Sequence, residues 1–147
     1  MLQFSIPDSA VDLALVHPLV MVASDANPGH PRLAGTHARV LGRYVRERRA
    51  LPIMEAVRKM TLLPARRLER AVPAMRDKGR VRVGADADLT VFDPDRVIDR
   101  ATYERPREYS EGIVHVLVNG AFVVRDAALV DGASPGRPIR RPAARQR

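Results

Sequence analysis

Cysteine is absent from this chain of 147 residues. That excludes a disulfide framework, a thiolate metal site and any cysteine-based redox chemistry. Tryptophan is also absent, and there are only three tyrosines and three phenylalanines. No base-stacking set of the RRM or OB-fold kind is visible. No apolar run approaches the roughly 20 residues that a membrane-spanning helix needs. The first residues, MLQFSIPDSA, lack the basic-then-apolar order of a signal peptide. A soluble, cytoplasmic protein without a membrane partner is the expectation. Basic residues are missing from the whole first stretch and begin at Arg32. Length sets a further bound. The chain suits one domain with a real core, but a complete β/α barrel takes about 250 residues and rarely fewer than about 200.

The charge that is present is positive, +8 overall, and part of it is concentrated at the end in GRPIRRPAARQR. A basic surface raises the question of nucleic acid. An arginine-rich, frayed terminus is the plainer account of residues 137–147. A basic module for a polyanion stays open as an alternative, resting on the tail after Gly136.

The stretch from Leu19 to Arg49 organises the chain. Leu19–Ala23 is a short apolar run that reads as a buried strand. Ser24-Asp25 places a carboxylate just past its end. A loop with Pro28, Gly29 and Pro31 carries His30 and Arg32. Thr36 starts a helix whose Val40, Leu41, Tyr44 and Val45 share one face. In a β/α barrel, chemistry sits on loops at the C-terminal ends of strands. On the residues alone, Asp25 is first of all a turn or cap aspartate, and Arg32 is a solvated loop arginine.

On either side the pattern is regular. Pro7 and Asp8 open a short helix with Val11, Ala14 and Leu15 on one face, and His17-Pro18 ends it. Leu51-Pro52 opens another, with Leu51, Met54, Val57 and Met60 as its apolar face. Glu55 and Lys59 form an outer i,i+4 pair. Leu63-Pro64 breaks that helix, and residues 65–70 form a further short piece. From about residue 71 the period changes. Residues 79–84 alternate basic and apolar. Residues 87–92 form a strand stopped by Asp93-Pro94. Residues 93–112 read as a mostly polar loop. Ile113–Val118 is a strand, Asn119-Gly120 is the hairpin turn, Phe122–Arg125 is its partner, and Leu129-Val130 adds a third.

Several of these pieces carry a resemblance. S-D-A, H-P-R and G-T-H-A-R-V-L-G-R-Y-V-R-E resemble the last barrel strand and following loop of the N-acyl-D-amino-acid deacylases, members of the amidohydrolase superfamily. MTLLPARRL resembles the helix after that strand. GRVRVGADADLTVFDP and VHVLVNGAFVVRD are similar to segments of the small β-sandwich of amidohydrolases. The likeness runs from about Phe4 to Arg140. It implies an α+β fold: residues 1–70 as the last β/α unit of a barrel and residues 71–136 as part of the β-sandwich; composition adds residues 137–147 as a basic, disordered tail.

The resemblance also implies a reaction: zinc-dependent hydrolysis of an N-acyl-D-amino acid to a carboxylate and a free D-amino acid. It gives Asp25 the role of accepting the attacking water's proton and passing it to the leaving amine. It gives Arg32 the substrate carboxylate, which a planar guanidinium holds bidentately. His30 reads as loop surface near the same pocket, and His17 and His115 as structural. His37 stands where the family usually has an aromatic residue. Ala26 follows Asp25 where the family favours glycine, and the loop from Asp25 to His30 is shorter than usual. Zinc needs three or four close ligands, which the family draws from an early H-x-H strand and later barrel strands. None of the four histidines here is so paired. No metal site is therefore expected within this chain, with Asp25 a candidate ligand only once a partner completes the barrel. The expectation is a C-terminal fragment of a deacylase, inactive alone and without bound cofactor. The alternative is one subunit of a split enzyme, completed by an N-terminal barrel chain. Self-association is the other way to cover its open faces.

Overall fold

In the computed structural model, residues 6–25 and 27–141 are described. The chain builds a helical layer and then an antiparallel sheet. Helix α1 spans Asp8–Val16, with Pro7 at its N-cap and His17 at its C-cap. Leu15 is its buried residue and Val11 is partly buried, whereas Ala14 is exposed. Helix α2 spans Arg32–Arg39. It begins four residues ahead of Thr36, whose hydroxyl donates back to the Arg32 carbonyl at 2.9 Å. The chain then continues as a π-helical stretch, Val40–Glu47. Val40, Leu41 and Tyr44 are buried there, as the sequence face requires, and Val45 packs against them. Such wide-turned stretches are rare and are often found beside functional sites.

Helix α3, Ile53–Met60, follows Pro52, and α4, Leu62–Leu68, follows a break at Thr61. Pro64 does not make the break. It lies in the first turn of α4, where its missing N–H costs nothing. Two expectations for α3 need correction. Met54 is 73% exposed, while Ala56 and Lys59 are fully buried. The i,i+4 pair of Glu55 and Lys59 is present at 4.0 Å, but Lys59 is buried and the pair is not an outer one. Glu55 also takes two bonds from Arg58, at 2.7 and 2.8 Å. Lys59 turns inward, where the backbone carbonyls of His17 and Val20 accept from its ammonium.

The expected strand Leu19–Ala23 is not formed. The segment is irregular, and Leu19 is 84% exposed. Its faces nevertheless alternate: Val20, Val22 and Ser24 turn toward the protein, while Leu19, Met21 and Ala23 face outward. A strand needs a ladder partner, and among the described residues the one backbone–backbone bond from this segment to another element is that of the Val22 amide to the Lys59 carbonyl, 3.1 Å. Residues 79–84 are likewise irregular rather than a strand, with Val81 and Val83 almost wholly exposed.

The sheet has strand order β1-β2-β3-β4, all antiparallel: Leu89–Phe92, Ile113–Val118, Ala121–Arg125 and Ala128–Leu129. Val118 pairs with Ala121 around Asn119-Gly120, whose φ values of 48° and 79° are both positive. That is the turn which the Asn-Gly pair announces. The Asp88 carboxylate receives the Asn119 amide at 2.8 Å and also pairs with Lys78, so the hairpin tip is anchored to the segment ahead of β1. The 93–112 connection is not simply polar. Val97 and Ala101 are buried, and Ile98 bridges Glu111 in antiparallel fashion.

One apolar cluster joins the helices to this connection. Leu41, Tyr44, Leu51 and Ala56 meet Val97, with Phe92 and Ile113 packed against them. Arg46 fixes the junction by donating to the carbonyls of Pro94 and Val97, at 3.1 and 2.6 Å. Arg43 and Arg48 tie α1 to the π-helical stretch through Asp8 and Asp12.

Candidate functional site

Asp25 and Arg32 meet. The Arg32 Nη2 lies 3.0 Å from the Asp25 Oδ2. Asp25 sits in the left-handed region, φ 46°, which is uncommon for any residue but glycine. Its side chain is largely in solvent, while the arginine is about two-thirds covered. The Arg32 Nε is buried and has no hydrogen-bond partner among the described residues. A buried N–H of a charged group without an acceptor is costly, and a ligand oxygen would relieve it.

Arg32 lines a cleft of about 370 Å³ between the start of α2 and the loop 99–104. His30 and Tyr103 face each other across it, with ring centroids 5.1 Å apart and edge-on. His30 Nδ1 accepts the Arg32 amide at 3.1 Å. The proton of the neutral ring therefore sits on Nε2, which lies 3.4 Å from the Tyr103 hydroxyl. Deeper along α2, Arg39 pairs with the mostly buried Asp99 at 3.0 Å, and Gly35 passes so close to Asp99 that a Cβ would lie 2.8 Å from its own Cβ. Ser110 donates to the Ala34 carbonyl at 3.0 Å, holding the far connection against α2. Partial desolvation lowers the pKa of His37, although the residue keeps solvent exposure. His17 and His115 serve backbone amides, those of Leu19 and Asp126. A larger hollow along Arg105–Tyr109 is lined by that one loop stretch and gathers no second element.

The structure thus joins the two site residues read from the sequence and adds His30 to them. It also brings in Asp99 and Tyr103. Neither had a sequence signal, since both lie in a loop about 60 to 70 residues from their partners. Among the described residues, no group of three or more histidine, aspartate or glutamate side chains is placed to hold a metal. The donors present in this chain do not by themselves fit a zinc ion.

A helical layer thus presents a carboxylate, an arginine with a spare donor and a polar cleft beside an antiparallel sheet. The model of the amidohydrolase family (Amidohydro_3) matches residues 6–124, and the chain belongs to that family. The chain is 47% identical over 144 residues to an N-acyl-D-glutamate deacylase of Alcaligenes xylosoxydans xylosoxydans, covering 95% of this chain and 28% of that protein. It is 41% identical over 145 residues to a D-aminoacylase of the same organism, covering 96% and 29%. Among solved structures, the N-acyl-D-glutamate deacylase of Bordetella bronchiseptica, complexed with zinc and a phosphonate mimic of the tetrahedral intermediate, superposes with a TM-score of 0.73 at 48% identity. That match covers 80% of this chain and 25% of the other. A D-aminoacylase with a binuclear metal center gives 0.83 at 41% identity, covering 92% and 28%. The chain spans less than a third of the length of these relatives.

Proposed function

We propose that this chain supplies the proton-carrying carboxylate and the substrate-carboxylate clamp of an N-acyl-D-amino-acid deacylase. The observation that carries this is the Asp25–Arg32 pair at 3.0 Å, beside a buried Arg32 Nε that lacks an acceptor among the described residues. A substrate carboxylate offers two oxygens to the guanidinium, one for Nη2 and one for Nε. It can therefore displace Asp25 and satisfy the orphan donor in one step. Asp25, released from the ion pair, is then free to take the proton of the water that attacks the amide carbonyl. It returns that proton to the nitrogen as the C–N bond breaks, giving a carboxylate and a free D-amino acid. His30 and Tyr103 border the place where the rest of the amino acid would lie.

The metal of the relatives needs donors beyond those of this chain, so hydrolysis requires the remainder of a barrel. In that arrangement residues 1–70 would be the last β/α unit, with the open backbone edge of Leu19–Ala23 paired with the preceding strand. Residues 71–136 would be part of the β-sandwich. The exposure of Leu13, Leu19, Val81 and Val83 favours such completion by further polypeptide.

The test is substrate affinity. Mixed with the missing portion of a related deacylase, the chain should yield zinc-dependent hydrolysis of N-acyl-D-amino acids. Arg32→Ala should then raise KM by roughly 10- to 150-fold, the equivalent of about 1.5–3 kcal/mol for a charged hydrogen bond. An unchanged KM would remove Arg32 from the clamp.

A further inference from the structure

Lys59 is fully buried on the last turn of α3. Taking an ammonium out of water is costly unless it is well partnered, yet the partners here are mainly neutral. Its Nζ donates to the carbonyl of His17 at 2.5 Å and to that of Val20 at 2.9 Å. The Glu55 carboxylate is 4.0 Å away and is already held by Arg58. The Lys59 carbonyl in turn accepts the Val22 amide at 3.1 Å.

One residue thus grips the chain at positions 17, 20 and 22, and Asp25 follows three residues later. The segment has no strand ladder to set its place. Its other backbone bonds are local, from Val20 to the His17 carbonyl and from Leu19 to the His17 ring. A methionine would fill the same space without burying a charge. What lysine adds is the capacity to hold two carbonyls at once.

We propose that Lys59 is a positioning residue: its ammonium fixes where the segment carrying Asp25 leaves the helical layer. The proposal rests on the reading of Asp25 as the proton carrier. Arg32 is carried by α2, a different element, so loosening the segment should misplace the base and leave the clamp where it is. A misplacement of about 1 Å can cost on the order of 100-fold in rate.

Two measurements test this. In the full chain, Lys59→Met should raise amide hydrogen exchange over residues 18–25 at least about tenfold, while residues 113–125 exchange as before. In the mixture with the missing deacylase portion, Lys59→Met should lower kcat on the order of 100-fold with KM within about twofold. Lys59→Gln, which keeps two N–H donors on a shorter stem, should recover part of both. Unchanged exchange over 18–25 would overturn the proposal. So would equal loosening of the sheet, or wild-type kcat in the Lys59→Met mixture. If Lys59→Met loosens 18–25 but Asp25→Asn leaves turnover intact, the tether stands and the proton-carrier reading fails. If no mixture assembles, the exchange result decides.

Discussion

Gly42→Ala is a severe test of how the helical layer is joined to the cleft. Gly42 lies in the π-helical stretch against residues 97–98. A methyl group there would sit 2.4 Å from the Ile98 Cδ1, 2.5 Å from the Val97 carbonyl oxygen and 3.1 Å from the Ile98 Cα. The Ile98 methyl can rotate away. The Val97 oxygen belongs to the backbone and is held by Arg46 at 2.6 Å. Relieving contacts that fall about 1 Å short of normal separation means moving one strand of backbone off the other. Overpacking costs about 1–3 kcal/mol, and a backbone obstacle places this substitution near the upper end. At this chain length about 3 kcal/mol corresponds to a fall in Tm of roughly 6–12 °C. Gly136→Ala is the matched control, since nothing lies within 4 Å of its would-be Cβ. Thermal melts followed by circular dichroism provide the assay. If Gly42→Ala melts within about 1 °C of Gly136→Ala, the close packing of the π-helical stretch on residues 97–98 is wrong, and so is the wall of the cleft that residues 99–104 continue.

Three further outcomes are expected. Gly120→Val should destabilise by about 1–2 kcal/mol, because φ is +79° there and a β-branched residue resists the left-handed region; an unchanged urea midpoint would refute the turn. His37 has its pKa lowered by burial from 6.5, so the unfolded chain takes up its proton first. That contribution to stability is complete above about pH 6.5 and is lost as the pH falls toward the lowered value. Urea midpoints of His37→Phe measured from pH 7.5 to 5 should therefore fall less steeply than those of the parent, and parallel slopes would count against a desolvated His37 ring. Elemental analysis after dialysis of the purified chain should find no stoichiometric zinc, whereas about one tightly held ion per chain would mean a ligand set outside those described.

Much of this fold was legible because local chemistry decides it. Pro7, Pro52 and the Asn119-Gly120 pair set their elements through fixed φ or positive φ, and these hold wherever the chain sits. The buried face of Val40, Leu41 and Tyr44 follows from spacing alone. What was not legible depends on partners. Leu19–Ala23 has the composition of a buried strand, yet a strand exists only with a neighbour, and none is available among the described residues. Residues 79–84 fail for the same reason. Lys59 looked like an outer partner of Glu55, but the carbonyls of Val20 and His17, 39 and 42 residues away, hold it inside. At the site, the resemblance pointed to Asp25 and Arg32, and the fold brings them together. Asp99 and Tyr103 were hidden because long-range pairing with Arg39 and His30 leaves no trace in local spacing.

The central claim is that Asp25 moves the proton in a reaction that this chain can perform only when completed. The most direct measurement is turnover of an N-acyl-D-amino acid by the chain mixed with the missing portion of a related deacylase, in parent and Asp25→Asn forms, with assembly followed by sedimentation. Asparagine keeps the volume and removes the base. The account predicts that both forms assemble equally and that Asp25→Asn lowers kcat by at least about 100-fold, as loss of a general base does. An Asp25→Asn mixture that assembles and turns over as fast as the parent would contradict it.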